Sequence, residues 1–171
     1  MPSGLAKQMA SDLATEFRLV ALDIRGHGFS EKPLDVYSDS RLWADDVQAV
    51  ITTLDLARPV LVGWSYGGAI ICDYLRFYGE DQIGGINFVG AATKLGKPGL
   101  PLSGKAFLGL MSGLFNDEVE KSVAAFEQLG QLLTYYPLPP EEAYLILGYS
   151  LIVPPYVREA CFRARVSMMI F

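Results

Sequence analysis

Residues 58–78 read RPVLVGWSYGGAIICDYLRFY, and the fold turns on what this stretch builds. The apolar run Val60-Leu61-Val62 has the character of a buried parallel strand. It enters Gly63-Trp64-Ser65-Tyr66-Gly67-Gly68, and a helical pattern begins at once. Strand, Gly-x-Ser-x-Gly, helix is the order of a nucleophile elbow. A very tight turn there forces the central residue into a strained backbone and lifts its side chain above the sheet. Small neighbours let strand and helix approach, which gives Gly63, Gly67 and Gly68 a reason to be glycine. The helix N-terminus favours negative charge developing at the hydroxyl. Ser65 is therefore the candidate nucleophile. With 17 Gly in the chain, the bare pattern arises by chance in roughly one such chain in ten, so the strand–turn–helix context carries the assignment.

Working outward, the chain alternates. Leu5 to Ala14 has Leu5, Met9 and Leu13 at four-residue spacing, an amphipathic helix. Phe17 to Leu22 reads as a buried strand and ends in the Gly-rich loop Asp23-Ile24-Arg25-Gly26-His27-Gly28-Phe29-Ser30. After a polar loop, Ser38, Asp39 or Ser40 caps a helix. Its apolar face is Leu42, Trp43, Val47, Val50, Ile51 and Leu54. The strand and helix around Ser65 come next, and Ile83 to Val89 is a further short strand. Helices alternating with strands imply a parallel α/β sheet, here of about three strands flanked by helices. Beyond Gly90 the texture changes. Residues 94–104, KLGKPGLPLSG, form a Pro/Gly-rich linker. Helical patterns follow at Lys105–Leu114, Asp117–Thr134, Glu141–Leu147 and Pro155–Val166. Met111, Phe115, Phe126 and Tyr135 read first as helix–helix core and second as a substrate pocket.

Composition narrows the partners. Net charge is −5 with pI about 4.8, and no basic cluster exists, so nucleic acid is not an expected partner. The longest apolar run, Tyr144 to Val153, is about half the length that spans a bilayer, so no membrane association is expected. The N-terminus lacks the pattern of a signal peptide. The two cysteines, Cys72 and Cys161, read as core thiols of a cytoplasmic protein. No His/Cys/Asp cluster has metal-ligand spacing and no phosphate loop is present, so neither metal nor cofactor is expected.

DIRGHGFS at 23–30 and GWSYGG at 63–68, in this order with one amphipathic helix between them, resemble the alpha/beta-hydrolase superfamily. The first is similar to the loop after that family's fourth strand, the second to the elbow after its fifth. The likeness is nearest to the serine esterase, lactonase and cofactor-free haloperoxidase-like branch. Ser65 argues against the dehalogenase- and epoxide-hydrolase-like members, which carry aspartate there. The resemblance implies residues 1–93 as a partial hydrolase core, 94–104 as a linker and 105–171 as a helical cap. It also implies acyl transfer on a small ester-like substrate. Ser65 is then the nucleophile, the Tyr66 backbone N–H one oxyanion donor, and Trp64 a pocket wall. Asp23, Arg25, Gly26, His27 and Gly28 fall in a structural loop, Asp23 and Arg25 pairing locally to shape it.

The sequence also departs from that pattern. His27 is its one histidine, and in the resembling family that position is not the base. No carboxylate follows Val89 in Gly90-Ala91-Ala92-Thr93, and nothing resembles the family's last strands. The expectation is a truncated, inactive fragment of a serine hydrolase. The alternative is a non-catalytic ligand-binding or regulatory module on a degenerate hydrolase fold. Oligomeric state is not legible.

Overall fold

The computed structural model describes residues 9–164. In chain order its elements are α1 (Leu13–Glu16), α2 (Ser40–Thr53), β1 (Val60–Trp64), α3 (Gly67–Tyr78), β2 (Gly85–Val89), a 3₁₀ turn (Lys97–Leu102), α4 (Lys105–Leu114), α5 (Val119–Leu132), α6 (Pro140–Leu151), α7 (Pro155–Glu159) and a π turn (Ala160–Ala164). The chain divides into two compact units: residues up to Pro33 with Gly104–Arg158, and Leu34–Ser103 with the chain from Glu159 on.

The unit from Leu34 is an α/β layer. Asp39 takes up the capping role, its carboxylate accepting the Arg41 N–H at 2.8 Å, which satisfies one orphan donor of α2. β1 pairs in parallel with β2, Val60 opposite Gly85 and Trp64 opposite Val89, and α3 makes the crossover between them. Leu61 and Ile86 turn one face of this sheet onto a core of Ile51, Tyr74 and Ile83. Strand alternation sends Val60, Val62 and Trp64 the other way, and all three are exposed. α3 stops at Gly79, whose φ of +70° suits a residue without Cβ. Gly84 lets the β2 approach pass close to β1: a Cβ there would stand 2.5 Å from the Arg58 carbonyl oxygen.

Two expectations are corrected here. Among the described residues the sheet has two strands, where about three were expected. Phe17–Leu22 takes up no strand pairing, and Phe17, Val20 and Leu22 are exposed. A parallel strand is held by ladder bonds on its edges, and Phe17–Leu22 makes none with β1 or β2. Apolar composition alone does not make a strand. The helix expected over Leu5–Ala14 starts outside the described residues; within them Met9 is helical, the chain turns at residues 10–12, and a short helix runs from Leu13 to Glu16. Elsewhere the boundaries move modestly. The linker segment takes a 3₁₀ turn, and α6 runs on to Leu151.

The other unit is largely helical. α4 and α5 close on Leu114, Ala125 and Phe126, with Leu147 and Leu151 of α6 packed against them. Gly113 permits the approach, since a Cβ there would lie 2.6 Å from that of Ala125. Phe126 thus joins the core as read, whereas Tyr135 is 93% exposed because it lies beyond the end of α5. A buried cation ties the unit together. Arg158 donates through Nη1 to the Leu114 carbonyl at 2.7 Å and to Ser122 Oγ at 2.6 Å, and its guanidinium lies over the Phe126 ring at 5.0 Å. The positive charge meets the last carbonyl of α4, where the helix dipole favours it. Replacing Arg158 by Ala leaves that carbonyl and the Ser122 hydroxyl unpaired in a buried site. The expected cost is about 2–4 kcal/mol, read as a lowered urea midpoint of the helical signal; an unchanged midpoint would show the contacts to be idle.

Candidate active site

Ser65 stands between β1 and α3 with φ +49°, a left-handed backbone that costs a non-Gly residue of order 1 kcal/mol or more. Asp55 and Arg58, on the approach to β1, share positive φ, but Ser65 alone of the three joins a strand directly to a helix. Its strain is held by backbone bonds on both sides. The Ser65 N–H donates to the Val89 carbonyl at 3.3 Å, and its carbonyl accepts from Gly68 N–H at 3.1 Å and Ala92 N–H at 2.8 Å. The end of β2 thus fastens the turn at the end of β1. Ser65 itself is half-buried.

The glycines around it have separate reasons. A Cβ on Gly63 would meet Ile71 Cδ1 at 2.7 Å and the Gly67 backbone at 2.9 Å; one on Gly68 would meet Ala91 Cβ at 2.6 Å and the Ala92 carbonyl at 2.9 Å. These two let strand, helix and the exit of β2 crowd together. Gly67 is different from the expectation. A Cβ there would meet nothing within 4 Å, because the first residue of α3 turns its side chain away from the sheet. Trp64 is 56% exposed, on the bare face of β1. Tyr66 opens α3 with a helical φ of −56°. Trp43 packs on its ring edge-on at 5.3 Å and Phe162 at 5.5 Å.

The Gly-rich loop belongs to the other unit and is shaped by its own backbone. Gly26 and Gly28 have φ of +80° and +49°. Asp23 organises the turn: its carboxylate accepts Phe29 N–H at 3.1 Å and its carbonyl accepts Ser30 Oγ–H at 2.5 Å. A Cβ on Gly28 would overlap the Asp23 carboxylate. Lys32 Nζ donates to the Gly28 and Ser30 carbonyls. Arg25 supplies its carbonyl to His27 Nδ1 at 3.1 Å, so the neutral ring donates there. Burial pushes the His27 pKa down, with Lys32 adding to the fall, against the opposing effects of the Arg25 carbonyl and Asp23. His27 is thus a loop residue, held neutral. Ser65, Tyr66, Trp64 and the three glycines share one unit; Asp23, Arg25, Gly26, His27 and Gly28 share the other. Among the described residues no group of three or more His, Cys, Asp or Glu side chains is placed to hold a metal.

The model of the alpha/beta hydrolase fold family matches residues 2–138 of this chain. The chain belongs to the alpha/beta-hydrolase family. It is 36% identical over 143 residues to the AB hydrolase superfamily protein YisY of Bacillus subtilis, covering 82% of this chain and 52% of YisY. An esterase of Rhodococcus sp., RhEst1, superposes with a TM-score of 0.85 at 37% identity, over 95% of this chain and 60% of that one. An X-ray structure described as a putative aryl esterase from Burkholderia cenocepacia gives 0.79 at 26% identity, over 91% and 57%. The chain thus spans just over half the length of these relatives.

Two outcomes follow for the site. Gly67→Ala is expected to leave the melting temperature of the protein within about 2 °C, while Gly68→Val lowers stability by about 2 kcal/mol or more through overpacking. Equal effects of the two would contradict the steric assignment. For His27 the folded pKa lies below the unfolded value near 6.5. As pH falls below about 6.5 the unfolded chain takes up the proton first, so stability falls on acidification and His27 adds no slope above that range. Thermal midpoints between pH 7.5 and 5 should show this decline, shallower in His27→Gln.

Proposed function

We propose that the hydrolase is a serine hydrolase of carboxylic esters or related acyl substrates, with Ser65 as nucleophile. The observation that carries this is the left-handed Ser65 backbone at a strand-to-helix turn, the strain an exposed nucleophile requires. In the proposed reaction a histidine base takes the Ser65 Oγ proton and Oγ bonds to the acyl carbon. The resulting oxyanion is met by the Tyr66 N–H at the start of α3. Collapse expels the alcohol, which leaves with the proton, and water then cleaves the acyl-enzyme by the reverse order. Trp64, exposed beside Ser65, is proposed as a wall of the acyl site.

Similarity to RhEst1 and to the Burkholderia protein, both described as esterases, supports a small-molecule ester. His27 is not the proposed base, because it stands in the loop at 23–30, a position that does not carry the base in the resembling family. The proposal therefore places the catalytic histidine and its carboxylate outside these 171 residues, consistent with the share of YisY and RhEst1 that the chain spans, and holds the 171 residues alone to be inactive. It also assigns residues 105–171 to a helical cap segment, 94–104 to its linker and 1–93 to the partial core. A cytoplasmic setting is proposed from the two buried free thiols.

The decisive measurement is hydrolysis of p-nitrophenyl acetate by the chain expressed together with its flanking coding sequence. Ser65→Ala should lose about 10³-fold or more in kcat, and His27→Ala should keep activity within about threefold. Retention of activity by Ser65→Ala would sink the nucleophile; loss in His27→Ala would move the base to His27. Absence of turnover in the longer protein would leave a binding module in its place.

A further inference from the structure

We propose that the Tyr66 side chain is a positioning residue, whose aromatic socket fixes the Ser65–Tyr66 peptide and so the direction of the Tyr66 N–H. The inference rests on the reading of Ser65 as nucleophile and the Tyr66 N–H as oxyanion donor, and adds a role for the donor's own side chain.

The backbone changes sign between these two residues, from φ +49° at Ser65 to −56° at Tyr66. A peptide at such a reversal is free to rock unless both flanks are held. The serine flank is held by its bonds to Val89, Gly68 and Ala92. The tyrosine flank is held through its side chain. Trp43 meets the ring edge-on, at 5.3 Å and 69°, and Phe162 meets it at 5.5 Å and 49°. The Tyr66 hydroxyl hydrogen-bonds the Cys161 thiol.

The socket is itself rigid. Trp43 is 1% exposed, and its indole N–H donates to the Tyr37 carbonyl at 3.0 Å. Tyr37 is equally buried. Cys161 is buried, and burial pushes its thiol up to about 11, against the lowering effect of the Tyr66 hydroxyl, so it stays a protonated partner at neutral pH. Cys161 and Phe162 both lie in the π turn Ala160–Ala164, an irregularity of the kind often found at functional sites. Trp43 of α2 and the π turn thus converge on one half-buried side chain next to Ser65. An oxyanion donor must lie about 2.7–3.1 Å from the developing charge, a window of a few tenths of an ångström. A ring locked on three sides supplies that constancy to the peptide attached to it.

The test uses the chain expressed with its flanking coding sequence and p-nitrophenyl acetate as probe, with Ser65→Ala run alongside. Tyr66→Ala is expected to lower kcat by about 10- to 100-fold with KM within about threefold, as a mispositioned donor should. Tyr66→Phe, which keeps the ring, is expected to restore most of kcat. Should Tyr66→Ala fail to fold by circular dichroism, Phe162→Leu takes its place, with an expected loss of about 3- to 10-fold in kcat. A folded Tyr66→Ala or Phe162→Leu enzyme with kcat within about twofold of the parent, beside a dead Ser65→Ala, would overturn the positioning role alone. A fall in KM and kcat that Tyr66→Phe does not restore would likewise overturn it. An active Ser65→Ala enzyme would instead remove the nucleophile reading on which the role depends.

Discussion

The left-handed backbone of Ser65 is the constraint around which the α/β unit is arranged. A strained residue persists only where its surroundings over-determine it. Here the exit of β2 supplies the Val89 and Ala92 bonds to Ser65, so parallel pairing of β1 with β2 is also what clamps the turn. Gly63 and Gly68 follow from the same geometry: the clamp works only if Ile71, Gly67, Ala91 and Ala92 come close enough to exclude a Cβ. α3 is then launched from the turn, and its Tyr74 helps fill the core beneath. Sequence, strain, pairing and packing are in this sense one arrangement viewed at four scales.

The Gly-rich loop at 23–30 solves a different problem. Its glycines at positive φ allow the chain to fold back so that one carboxylate, Asp23, receives a backbone N–H while its carbonyl receives the Ser30 hydroxyl. His27 is absorbed into that network through the Arg25 carbonyl. A lone histidine in a Gly-rich loop invites a catalytic interpretation, yet the bond its ring makes is to the loop's own backbone. In the helical unit Arg158 plays the comparable part, joining a helix end, a hydroxyl and an aromatic face by one planar cation.

The local elements were the legible part. A cap at Asp39, an apolar stripe over α2, the strand into Ser65 and the helix out of it each leave a period or a punctuation mark within a few residues. Positive φ at Ser65 was foreseeable for the same reason: the Gly-x-Ser-x-Gly turn is a local instruction. Phe17–Leu22 forms no strand because strand formation depends on a neighbour, and hydrophobic character carries no information about whether one is beside it. Gly67 was over-explained, since a motif tells which positions are small and not which of them face a wall. The socket of Trp43, Tyr66, Cys161 and Phe162 was invisible. Trp43 read as one more apolar position and Cys161 as a core thiol, because the signal that joins them is spatial and spans most of the chain.

The α/β unit's main elements, α2, β1, α3 and β2, follow one another within residues 40–89. Contacts between near neighbours in sequence close quickly, since little loop entropy is lost in forming them. This block is therefore the natural seed of folding, formed while the ribosome is still adding residues beyond it. Its bare row of Val60, Val62 and Trp64 then becomes a matter of timing. Until something covers it, that row is a sticky surface on a nascent chain, and the yield of native protein is set by a race between burial and collision with other copies.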